Sequence, residues 1–86
     1  MPEISRFYGI VVRMYYNDHA PPHFHAEYSA QEAVVDIATL GTIAGRIPPR
    51  AMALVVEWAQ LHQNELQDTW EQARRLEPLG RIEPLK

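Results

Sequence analysis

Hydrophobic patterning changes period once along this chain, and the change falls at Pro48-Pro49. Before the two prolines apolar and polar residues alternate, as strand side chains do; after them apolar residues return at three- and four-residue steps, as on a helix face. The sequence therefore divides into a β-rich segment over 1–47, a helical one over 48–76 and an extended tail over 77–86. This predicts an α+β class, with a three- to four-stranded antiparallel meander followed by a long or kinked helical segment packed on one face. At 86 residues and 47% apolar content, the chain supports one domain with one modest core. Folding at this size buries only about 60 to 65% of the unfolded surface.

Four alternating runs carry the meander. Gly9 to Tyr16 puts Ile10, Val12, Met14 and Tyr16 on one side and Val11, Arg13 and Tyr15 on the other. Asn17 to Pro22 is a polar turn whose two prolines cannot donate to a ladder. His23 to Tyr28 turns Phe24, Ala26 and Tyr28 inward and His23, His25 and Glu27 outward. Glu32 to Ile37 follows after a short turn. Thr42 to Ile47 is a weaker fourth strand with an irregularity expected at Gly45.

Pro48-Pro49 can open a helix, because proline at the first helical position gives up no needed donor. Ala51, Leu54, Val55, Trp58, Leu61, His62, Leu66, Trp70, Ala73 and Leu76 form its apolar stripe. Unbroken, that helix would run about 40 Å at 1.5 Å per residue, too long for so small a domain, so a break is expected near Gln63-Asn64. Asn64 with Gln67 could cap the second half. In the tail, proline excludes regular helix, and Leu79, Ile82 and Leu85 suit an extended segment docked on the domain or on a partner.

The absence of cysteine rules out a disulfide framework and any thiolate zinc site. A formal charge of −3 is not the footprint of a protein gripping phosphate backbones broadly. Arg74 and Arg75 close the helical region, where cations suit the helix dipole; Arg46 and Arg50 bracket its start, where they oppose it. The latter two are therefore candidates for an anion or acidic-partner site. No run is long and apolar enough for a membrane span, and the start lacks a signal-peptide pattern, so a cytoplasmic protein without membrane contact is expected.

Three of the four histidines lie within the seven residues His19 to His25. A tight hairpin between the second and third strands would set His25 opposite Asp36 and His23 opposite Ala38, with Arg13 and Tyr15 on the other flank. One sheet face then carries Arg13, Tyr15, His23, His25, Glu27 and Asp36. Such a face could act catalytically without a cofactor, as a metal-independent ribonuclease on an RNA substrate. His23 or His25 would move the proton, Asp36 orient it and Arg13 hold phosphate. It could instead aim His23 and His25 at a metal ion, with Glu27, or else Asp36, His19 or His62, as a further ligand. Or the histidines could serve the hairpin, flanking Phe24 and bonding to the loop over 17–22. His62, Trp58 and Trp70 read as core residues.

The segments ISRFYGIVVRMYYNDHAPPHFHAEY, AVVDIATL, LVVEWAQLHQNEL with the following Trp70, and the closing IEPL resemble the small bacterial family catalogued as domain of unknown function 4160. The resemblance implies a compact α+β domain, often encoded beside another small protein as a toxin-antitoxin-like pair. Its pattern takes in Arg13, Tyr15, Tyr16, Asp18, His19, Pro22, His23, Phe24, His25, Glu27, Asp36, Trp58, His62 and Trp70, without assigned roles. Ala30 stands where a glycine is usual and Pro49 where a basic residue often is. The leading expectation is a protein-binding component of such a two-gene module, contacting its cognate protein through the sheet face or the tail. A homodimer is compatible with it. The ribonuclease and metal-binding readings are the alternatives.

Overall fold

The computed structural model describes residues 2–86. Strands β1 (Glu3–Phe7), β2 (Ile10–Arg13), β3 (His23–Tyr28), β4 (Gln31–Asp36) and β5 (Thr42–Gly45) form one antiparallel sheet in sequence order. Helices α1 (Pro49–Leu61) and α2 (Gln63–Arg74) follow. The class is α+β as expected, but the meander has five strands rather than three or four. β1 escapes an alternation test because its pairing with β2 is irregular between Glu3 and Ser5, which leaves Ile4 and Ser5 buried side by side.

β1 and β2 are joined by Tyr8-Gly9, both at positive φ, the backbone signs of a tight type I′ hairpin. β2 leaves the ladder after Arg13, sooner than its apolar residues suggest. Met14 instead donates its backbone N–H to the Pro2 carbonyl, and Asn17 takes a left-handed φ in the loop. Ser29-Ala30 connects β3 to β4 with only two residues, so Tyr28 pairs with Gln31 and His23 with Asp36. His25 faces Val34. The expected pairings of His25 with Asp36 and His23 with Ala38 are thus displaced by two positions, because the loop is shorter than that register needs. An even displacement keeps every residue on its expected face.

Gly45 is the irregularity that the fourth run foreshadows. Its φ is +65°, and a Cβ there would stand 2.2 Å from the Glu32 carbonyl oxygen, so no residue with a side chain fits without moving β4.

The inward sheet face packs against both helices, with Ile4, Ile10, Val12, Phe24, Val35 and Ile37 buried beside Val55, Trp58 and Leu66. Trp58 is the centre of this core, with ring centroids 5.4 Å from Phe7 and 5.8 Å from Phe24. The helical stripe breaks at His62, whose φ of −130° ends α1 and starts α2. His62, not Asn64, occupies the N-cap position, and no side chain caps α2. Leu61, the last residue of α1, and Leu76, which lies past the end of α2 at a left-handed φ, fall off the stripe and are both about two-thirds exposed.

The tail docks on the domain itself. Ile82 donates its N–H to the Ile4 carbonyl at 2.7 Å, Ser5 Oγ donates to the Ile82 carbonyl, and the Trp58 indole donates to the Glu83 carbonyl at 2.8 Å. Ile82 is buried. The segment therefore lies against β1, while β5 at the other side of the sheet is exposed along its length.

Candidate functional site

β3 presents His23 and His25 on the side opposite Phe24 and Ala26, with Trp70 of α2 reaching His23 at the strand's start, and the loop over 17–22 folds back over both histidines. His23 Nδ1 lies 2.7 Å from the Pro21 carbonyl oxygen, which can only accept, so that nitrogen carries a hydrogen. His23 Nε2 lies 2.9 Å from Asp18 Oδ2. A hydrogen must also sit between these two atoms, on the imidazole or on the carboxyl. Burial pushes the Asp18 carboxyl up, but the His19 backbone N–H and the His23 ring outweigh it and hold the group below its ordinary value. The His23 ring also stacks obliquely on Trp70 of α2, which seals that end of the sheet.

His25 is in a different position. Its Nε2 is 3.6 Å from Asp18 Oδ2 and its Nδ1 is 3.4 Å from Glu32 Oε2. Both ring nitrogens are sealed from solvent and make no hydrogen bond. Leaving such a group unsatisfied costs about 1 to 3 kcal/mol per atom, so the arrangement calls for an explanation. The Tyr15 ring meets the imidazole edge-on at 4.4 Å. Burial and the nearby Glu32 and Glu27 charges push the Tyr15 hydroxyl up.

The remaining expected site residues are engaged elsewhere. Arg13 stands directly across from His25 but gives its Nε to Glu27 Oε2 at 3.1 Å. Asp36 shares the face and pairs in register with His23, yet its carboxylate accepts from the Ala38 and Thr39 amides and shapes the turn after β4. His62 pairs with Glu65, as a packed histidine with one satisfied nitrogen. The acid that reaches the histidines is Asp18, which strand alternation does not select because it lies in the loop. Asp18, His23 and His25 each offer a ligand atom, all within 4.8 Å of one another, and among the described residues they form the one such group.

A second feature lies at the start of α1. Tyr8, Tyr28, Pro48, Pro49, Arg50, Ala51 and Leu54 line an apolar groove of about 480 Å³. The first turn of α1 contains no acidic residue, and Pro48 supplies no side-chain cap. Among the described residues Arg6, Arg13, Arg74, Arg81 and Lys86 all pair with glutamates, whereas Arg46, Arg50 and Arg75 pair with no carboxylate, and of these three only Arg50 lines the groove.

The family model described as Domain of unknown function (DUF4160) matches residues 9–71. The chain belongs to the DUF4160 family. The matched span takes in the loop, both histidines of β3 and the groove residues from Tyr28 to Leu54, whereas β1 and the docked tail lie outside it. No curated protein and no solved structure matches the chain. Among the described residues of this DUF4160 chain no helix is long and apolar enough to cross a membrane.

Proposed function

We propose that this DUF4160 chain is a protein-binding component of a two-gene, toxin-antitoxin-like module, and that its docking site is the groove at the start of α1. One observation carries the reading. Among the described residues of a protein of net charge −3, most cations pair with a glutamate, whereas Arg50 pairs with no carboxylate and lines an apolar, tyrosine-lined groove at an uncapped helix start, and Arg46, which also pairs with none, lies two residues before Pro48. A positive rim around an apolar pocket suits a partner segment that presents an apolar side chain flanked by carboxylates. The tail contributes less, since its backbone is committed to β1 and Trp58.

The ribonuclease reading draws less support. Its phosphate-binding residue, Arg13, is held by Glu27, and its orienting acid, Asp36, is held by a turn. Co-expression with the product of the adjacent gene tests the binding proposal. A stable complex whose partner shows protected acidic residues is expected. Failure of the two purified proteins to associate would overturn it.

A further inference from the structure

The binding proposal makes no use of the buried histidines, and His25 in particular has no role in the fold that its hydrogen bonding explains. We infer that Asp18, His23 and His25 form a binding site for a divalent first-row transition metal ion. The three residues lie within eight positions of the chain, Asp18 near the start of the loop over 17–22 and the two histidines on one side of β3.

The donor geometry fits. Ligand atoms about 2.0 to 2.1 Å from one ion sit roughly 2.9 to 3.4 Å from each other. Asp18 Oδ2 is 2.9 Å from His23 Nε2 and 3.6 Å from His25 Nε2. An ion in the angle between these atoms would satisfy His25 Nε2 and replace the hydrogen shared by Asp18 and His23. All three ligand atoms lie within 4.8 Å of one another, so the rings must draw together around the ion on binding.

The surroundings are those of a metal-binding histidine pair, whose outer nitrogens donate to a carbonyl or a carboxylate. His23 Nδ1 donates to the Pro21 carbonyl, and His25 Nδ1 is 3.4 Å from Glu32 Oε2. His23 Nδ1 is fixed as a donor by Pro21, and a hydrogen on His25 Nδ1 facing Glu32 would likewise leave both Nε2 lone pairs for the ion. Charge agrees as well. The Arg13–Glu27 pair cancels, and Asp18 and Glu32 together leave two negative charges for a divalent cation to balance. Tyr15 against His25 and Trp70 against His23 supply the aromatic walls. Two imidazoles and one carboxylate suit zinc, iron, cobalt or nickel better than magnesium or calcium, which prefer all-oxygen sites. Glu27, the carboxylate that strand alternation would choose, belongs to Arg13 and is not a ligand.

The test uses full-length protein made without a histidine tag, stripped with chelator and titrated with Zn²⁺ against a chromogenic chelator. One equivalent should bind. Asp18→Asn and His25→Asn should each weaken binding at least about tenfold, Glu32→Gln about tenfold through the outer nitrogen, and Glu27→Gln not at all. In the stripped protein His25→Phe should raise the denaturation midpoint, since it removes two unpaired buried nitrogens, and added zinc should stabilise only the wild type. Absence of stoichiometric binding, or equal binding by the His25→Asn variant, would overturn the site. Should that variant not fold, zinc-induced ¹⁵N shifts of the wild-type imidazoles decide. Shifts at His23 and His25 support the site, and shifts confined to His19 or His62 overturn it.

Discussion

Asp18 Oδ2 and His23 Nε2 meet at 2.9 Å, joining the loop after β2 to the first residue of β3. Because the other ring nitrogen is held by Pro21, removing the carboxylate leaves a largely buried imidazole with one partner lost. Asp18→Ala should destabilise the fold by about 1 to 3 kcal/mol. Asp18→Asn should cost less, since its amide can donate to a neutral Nε2. Denaturant unfolding of the two variants without metal measures the difference, and equal costs would remove the hydrogen bond from the account.

At Gly45 the backbone is left-handed and the Glu32 carbonyl occupies the space of a Cβ. Gly45→Ala should therefore destabilise by about 2 kcal/mol or more, from conformational strain plus displacement of β4. Gly80, which has no neighbour within 4 Å of a built Cβ, is the control; its alanine variant should unfold near the wild-type midpoint.

Glu3 is held down to about 2, first by its hydrogen bonds to Arg6 and then by those to Arg81 of the tail. A carboxylate depressed on folding stabilises the native state fully above its ordinary value of 4.5 and loses that contribution as pH falls through about 2. Acidification between those limits should loosen the tail, seen as faster amide exchange at Ile82 after correction for intrinsic rates. Glu3→Gln should flatten that dependence.

Fold class was legible because the period change at Pro48-Pro49 and the alternation of His23 to Tyr28 are local properties of the chain. β1 was not, because the irregular pairing at Glu3 to Ser5 breaks the alternation that marks a strand. The shared face of Arg13, His23, His25, Glu27 and Asp36 was legible, since face follows from parity alone. Which of them meet was not. Loop length fixed the register, Asp36 turned to its own loop amides, and Asp18 reached the histidines from a segment without period. The proposed groove was half visible. Arg46 and Arg50 stood out against the helix dipole, but Tyr8 joins Leu54 only through tertiary packing.

The proposal for the groove rests on Arg50, and its most direct test is the affinity of the adjacent-gene product, measured calorimetrically, for wild type, Arg50→Glu and Arg75→Glu. Arg75 is the control, an exposed arginine at the far end of α2. Arginines at the centre of an interface cost more than about 1 kcal/mol on truncation, and charge reversal costs more. Arg50→Glu should weaken binding by at least about tenfold while Arg75→Glu leaves it unchanged. Equal affinity of all three proteins would contradict docking at the start of α1.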